Sequence, residues 1–251
     1  MMEKKERGGI SNEMELAAAN GIMTLMPYAY QPIIDLSTGN VFGYEALMRP
    51  DGMSVVDFMG KIQTEDGKID AHLLEIITFF SAVGAFKKNG YLFINSFPND
   101  FLSTKEQLLL ERVYGREKLA NIVIELLEYP EFDSMAWQRT KEFAERYGCM
   151  IAIDDFGTGL STIEMVHLVD PDIVKVSREM IASARSSVGG FQELKDIIRY
   201  LSSEGYIVLT EGIETGTDLC NVTQLGASMA QGYYLGMPTM GEGEEEVVSI
   251  N

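Results

Sequence analysis

Residues 121–155 read NIVIELLEYPEFDSMAWQRTKEFAERYGCMIAIDD. Two short apolar runs in this stretch, Asn121–Leu126 and Met150–Asp155, flank Ser134–Arg146, where apolar residues recur every three or four positions. Short apolar runs bounded by turn residues read as strands, and the wider spacing reads as helix. The pattern repeats in both directions. Further strands are expected at Ala29–Leu36, Val41–Met48, Tyr91–Ser96, Ile173–Val176, Tyr206–Glu211 and Met229–Leu235, with helices at Ala71–Lys87 and Gln192–Ser203. Eight strands alternating with helices predict an α/β fold, a (β/α)8 TIM-type barrel. One connection departs from the pattern. Asp35-Leu36-Ser37-Thr38-Gly39-Asn40 is too short for a crossover helix, so the first strand should pair antiparallel with the second. The 251 residues suit one such barrel over 21–240, with a leader or helix over 1–20 and an acidic tail over 241–251.

Composition narrows the function. A hydrophobic fraction of 46% is globular, and no stretch of 18 apolar residues predicts a membrane span. The mixed-charge start, Met1-Met2-Glu3-Lys4-Lys5-Glu6-Arg7, is a poor signal peptide, so a cytoplasmic protein is expected. Cys149 and Cys220 have no metal-ligand spacing and read as reduced, buried or half-buried thiols. A formal charge of −18 opposes binding to duplex nucleic acid. It leaves room for one small anionic substrate if clustered carboxylates are overcompensated by divalent cations.

The polar residues fall at particular places. Phe42-Gly43-Tyr44 leads to Glu45, Leu92-Phe93-Ile94 to Asn95, and Ile122-Val123-Ile124 to Glu125. Ile151-Ala152-Ile153 leads to Asp154 and Asp155, Ile173-Val174 to Lys175, and Ile207-Val208-Leu209-Thr210 to Glu211. The C-terminal strand ends of a barrel converge on one face, where active sites are built. Five acids gathered there would repel one another without cations, and oxygen donors with one amide suit Mg²⁺ or Mn²⁺. Adjacent Asp154 and Asp155 can both reach that mouth only if the chain turns out of the sheet, for which Phe156-Gly157-Thr158-Gly159 supplies glycines. His72 and His167 read as surface or core packing.

These residues also spell a family. Tyr44-Glu45-Ala46-Leu47-Met48-Arg49 resembles the motif that names the EAL domain, the cyclic di-GMP-specific phosphodiesterase. The resemblance runs in order from about Tyr30 to Pro238 through Gln31-Pro32-Ile33, Asn95-Ser96, Glu125-Leu126-Leu127-Glu128, Asp154-Asp155-Phe156-Gly157-Thr158-Gly159, Lys175, Glu211-Gly212-Ile213-Glu214-Thr215 and Gln231-Gly232-Tyr233. It implies that Glu45, Asn95, Glu125 and Asp154 hold one metal. Asp154 and Asp155 would hold a second, with Glu211 in its shell through water. Lys175 would hold or polarise the attacking water, and Glu128 would brace the loop after Asp155. Glu214 and Gln231 would line the substrate cleft, and Gln31 and Arg49 would contact guanine and phosphate. The implied cofactors are two Mg²⁺ or Mn²⁺. The implied reaction is in-line attack of water on one phosphodiester of cyclic di-GMP, giving linear pGpG, with a homodimer as the expected assembly.

Four positions depart from the family pattern. Ser177 stands where the family has Asp, Leu160 where it has Tyr, Met237 where it has a basic residue, and Ile62-Gln63 where it has Ala-Glu. They leave open an alternative, a weak or inactive EAL domain that binds cyclic di-GMP or a protein. An unrelated metal-dependent barrel lyase or aldolase would require the ordered motifs to be coincidence.

Overall fold

The computed structural model describes residues 26–61, 70–127, 132–159 and 161–241. The expected leader over 1–20 and all but the first residue of the expected tail lie outside them. The strands are β1 (Tyr28–Asp35), β2 (Val41–Met48), β3 (Tyr91–Ser96), β4 (Ile122–Leu126), β5 (Met150–Phe156), β6 (Ile173–Val176), β7 (Ile207–Thr210), β8 (Met229–Gln231) and β9 (Thr239–Met240). The helices are α1 (Val55–Lys61), α2 (Ala71–Ala85), α3 (Thr104–Tyr114), α4 (Arg116–Leu119), α5 (Ser134–Tyr147), α6 (Ile163–Val169), α7 (Arg178–Ser186), α8 (Val188–Ser203) and α9 (Gly216–Leu225).

Strands β2 to β8 run parallel in chain order, and β1 closes the barrel by pairing antiparallel with both β2 and β8. The expected hairpin is present. Its turn is held by the Asp35 carboxylate, which accepts from the backbone N–H groups of Ser37 and Thr38, each at 2.9 Å. Two details differ from the sequence reading. The last barrel strand ends at Gln231 rather than Leu235, because Gly232 packs against the loop after β7, where a Cβ would meet Ile213 backbone at 2.2 Å. The chain then turns and returns as β9, an unforeseen pair of residues added to β1 at Ala29 and Tyr30. Both cysteines are free as expected, but Cys220 is exposed. Among the described residues no helix is long and apolar enough to cross a membrane.

Side chains alternate faces along a strand, and this alternation builds the interior. Ile33, Phe93, Val123, Ala152, Ile173, Leu209 and Met229 form a closed apolar cluster inside the barrel, each no more than 2% exposed. The intervening residues, such as Ile94, Ile124, Val174 and Val208, face outward into two helix-packed clusters. One inward step above the apolar layer, every strand presents a polar group. These are Glu45, Asn95, Glu125, Asp154, Lys175, Glu211 and Gln231, plus Gln31 from β1, where the reversed direction puts the step two residues earlier. Strand tilt staggers the layer, so Glu125 is in register with Ala152 rather than with Asp154.

Candidate active site in the barrel mouth

Half of the polar layer is organised by one cation. The Lys175 ammonium, 0% exposed, lies 2.7 Å from Glu125 Oε1, 2.7 Å from Asp154 Oδ1 and 2.8 Å from Glu211 Oε1. Burial alone would discharge such a lysine. The surrounding Asp154, Glu125, Glu211 and Glu45 reverse that and hold it protonated, well above the usual lysine range. Burial pushes the carboxyls the other way. Glu125 is raised well above its ordinary value despite Lys175, and Glu211 is pushed up to about 8 by burial, Asp154 and Glu45. One ammonium therefore serves three acids, two buried and Glu211 half-buried, and leaves valence unused. Glu125 Oε2 is buried with no hydrogen-bond partner.

The other half is held by amides. Gln231 Nε2 donates to Glu45 Oε2 at 2.7 Å and to Gln31 Oε1 at 3.3 Å. Asn95 Nδ2 reaches Glu45 Oε1 at 3.4 Å, and Gln31 Nε2 donates to the Gly236 carbonyl at 3.1 Å. Glu45 thus has neutral donors on both oxygens.

Asp155 completes the acidic side. Its φ of 51° is left-handed, rare for a residue with a side chain, and it lets the strand bulge so that consecutive acids both serve the mouth. The Asp155 carbonyl accepts from Thr158 N and Oγ1 at 3.1 and 2.8 Å, which closes the turn. Donor oxygens of Asp154, Asp155 and Glu211 lie within 4.8 Å of one another. Burial and Asp154 together raise Asp155 above the ordinary aspartate range. Hard oxygen donors at this separation, with an unpartnered carboxylate oxygen beside them, fit a divalent cation such as Mg²⁺ or Mn²⁺.

A cavity of about 180 Å³ opens over this layer, bordered by Gln31, Glu45, Asp155, Arg178, Glu211, Glu214, Gln231 and Tyr233. A second, of about 330 Å³, adjoins it across Glu45 and also touches Asn95 and Arg49. The structure therefore gathers Gln31, Glu45, Asn95, Glu125, Asp154, Asp155, Lys175, Glu211 and Gln231 in one mouth. Arg49 and Glu214 stand at its rim. Glu128 lies outside the described residues, as do Leu160 and Ile62-Gln63 among the departures from the family pattern.

Several neighbours escaped the sequence reading. Arg185 on α7 binds the Glu214 carboxylate at 2.5 Å, the Asp218 carboxylate at 3.3 Å and the Gly212 carbonyl at 3.3 Å, clamping the loop that carries Glu211. His72, read as simple packing, bridges Asp100 and Glu106, and hydrogen bonds to both raise its pKa to about 10. Glu75 is a fully buried acid behind β3. Its signal was available, a lone acid between Leu73-Leu74 and Ile76-Ile77.

The sequence model of the EAL domain matches residues 24–238. The chain is 26% identical over 239 residues to the probable cyclic di-GMP phosphodiesterase PdeI of Escherichia coli (strain K12), covering 83% of this chain and 28% of that one. It spans well under two thirds of the length of curated relatives that it matches, 15% in the case of the cyclic di-GMP phosphodiesterase TpdA of Vibrio parahaemolyticus, to which it is 34% identical over 86 residues, 34% of this chain. Among solved structures, a standalone versatile EAL protein of Vibrio cholerae O395 in its c-di-GMP-bound form superposes with a TM-score of 0.74 at 25% identity. That match covers 86% of this chain and 93% of the other.

Proposed function

The chain belongs to the EAL domain family, and from that premise we propose that it hydrolyses cyclic di-GMP to linear pGpG with divalent cations held in the barrel mouth. The observation that carries this reading is the Lys175 cluster, in which the buried Glu125 and Asp154 and the half-buried Glu211 share one ammonium and Glu125 keeps an unpartnered oxygen.

Glu45, Asn95, Glu125 and Asp154 offer donors for one cation, and Asp154, Asp155 and Glu211 for a neighbouring one. Bound cations of this class activate water and offset charge on phosphoryl oxygens. The protein's own contribution is placement. Lys175 fixes the carboxylates from below and keeps a positive charge where the phosphorane's charge develops. Gln231, itself bonded to Gln31, and Asn95 hold Glu45 in one rotamer, so the donor set is ordered before substrate arrives. The reaction adds one water. Its oxygen bonds phosphorus in line with the 3′ oxygen, which leaves and takes a proton, and the phosphate stays on the 5′ side. Arg49, Gln31 and Glu214 border the cavities and are positioned to contact the dinucleotide.

Incubation with cyclic di-GMP and Mg²⁺ or Mn²⁺, followed by chromatography, should yield pGpG, and excess chelator should stop it. Full hydrolysis in chelator would refute the metal reading. Binding without product would favour a binding module, a reading that draws on Ser177, whose buried hydroxyl has no partner where the family carries Asp.

A further inference from the structure

We propose that Glu75, in the helix layer, is a positioning residue for the metal centre, fixing the end of β3 so that Asn95 presents its amide oxygen to the mouth. The proposal rests on the metal reading above. Asn95 and Ser96 are consecutive strand residues and so face opposite ways, Asn95 into the mouth and Ser96 out toward α2. Beyond Ser96 the strand ends, and the next backbone N–H has no strand to donate to. Glu75 takes it, with Phe97 N donating to Glu75 Oε1 at 2.7 Å. Ser96 Oγ donates to Glu75 Oε2 at 3.0 Å, and the Ser96 carbonyl accepts from Leu127 N at 3.0 Å. The two residues after Asn95 are therefore fastened to a helix on one side and to β4 on the other.

The cost of this arrangement argues that it acts on the site. Glu75 is 1% exposed and the one carboxylate of α2, and burial pushes its pKa up to about 8 against the hydrogen bonds from Phe97 and Ser96. Burying a carboxyl is unfavourable unless its hydrogen bonds are met, and helix packing alone would be served by an apolar side chain. Both oxygens instead bond the strand end. The fastening also sits where slack would matter. The cavity of about 330 Å³ is bordered by Glu75, Asn95 and Glu45, so a released strand end has room to carry Asn95 away from the other donors.

The test measures Mn²⁺ binding by electron paramagnetic resonance, independent of turnover. Glu75→Met should raise the Mn²⁺ Kd about 10–100-fold, the usual effect of removing a group that orients a ligand. Glu75→Gln keeps an acceptor for Phe97 N and a donor for Ser96 Oγ, and should bind within about threefold of the parent. In an Asn95→Ala background the Glu75→Met effect should vanish, since Glu75 acts through Asn95. Should Glu75→Met fail to fold, Ser96→Ala removes one of the two bonds and should raise Kd several-fold. Unchanged Mn²⁺ binding in Glu75→Met, or an equal loss with and without Asn95, overturns the proposal. A parent chain that binds Mn²⁺ but makes no pGpG defeats the phosphodiesterase reading while the Kd shifts still support this one.

Discussion

The two halves of the barrel mouth hold their carboxylates in opposite ways. On β4 to β7 three acids converge on the single ammonium of Lys175, and on β1, β2, β3 and β8 one acid, Glu45, is held by the amides of Gln231 and Asn95, with Gln31 bonded to Gln231. The first half is a charge balance that changes with pH and with any added cation. The second relies on neutral amide donors, whose own charge does not change with pH. A metal centre needs both properties, a donor set whose excess negative charge attracts a cation and a frame that does not move when the cation arrives. The contrast predicts that substitutions in the ammonium half alter stability and chemistry together, while those in the amide half alter chemistry alone.

Lys175→Met should give the largest effect. Without chelatable metal it leaves the buried Glu125 and Asp154 and the half-buried Glu211 without a counter-charge, a change that typically costs about 3–5 kcal/mol. Turnover should fall by about 100-fold or more, the upper end for a group that orients metal ligands, since three carboxylates lose the same partner. Saturating Mn²⁺ should restore part of the melting temperature but little of the rate. Equal melting temperatures for parent and variant in chelator would break the comparison.

Glu45→Gln probes the amide half. The amide oxygen introduced there can still accept from Gln231, and its NH2 can pair with Asn95 once the Asn95 amide turns its oxygen toward it, so thermal stability should stay within about 1 kcal/mol of the parent. Hydrolysis should fall by more than the ~100-fold seen for groups that merely support a ligand, because a proposed direct donor is lost. Activity near that of the parent would mean that β2 does not reach the metal.

The pH response should separate the halves as well. In chelator, Glu211 ionises near 4.5 in the unfolded chain but only near 8 when folded, since burial holds its proton. Between those values the folded state binds more protons, so stability should fall as pH rises from about 4.5 to 8. Metal binding requires the ionised form, so apparent Mn²⁺ affinity should rise over the same range, by about tenfold per unit for each proton released. Calorimetric titrations at several pH values check this, and a pH-independent affinity would contradict it.

Much of this site was legible in the sequence because barrel geometry turns position into proximity. An apolar run ending in Glu125 or Glu211 states both the strand and the face on which the acid emerges. The hairpin followed from the six residues 35–40 alone. What stayed hidden was pairing. Nothing in the local sequence of Lys175 tells that it meets three acids from three other strands, because that depends on shear and tilt. Arg185 and Glu75 were hidden for a related reason, since they lie on helices and their roles exist only once the helices dock. Strand β9 was missed because two residues carry no periodicity.

The smallest effect tests the ammonium half from above. Ser177 follows Lys175 by two residues, one past the end of β6, and its hydroxyl is buried with no partner although it sits at the start of α7. The family carries Asp here, and an aspartate is as good as serine at a helix N-cap. Ser177→Asp should therefore be tolerated by the helix and would add a sixth carboxylate to the five of the mouth. In chelator that extra charge should lower the melting temperature slightly, because one ammonium would then face a larger excess of negative charge. With Mn²⁺ the sign should reverse, and hydrolysis should rise up to about tenfold, the lower end of what a ligand-supporting group contributes. A rise confined to limiting Mn²⁺ would assign Ser177 to metal affinity, and a rise at saturation would assign it to placement of the water. If neither rate nor half-saturating Mn²⁺ changes, the charge balance around Lys175 does not extend to Ser177, and the ammonium half ends at the polar layer itself.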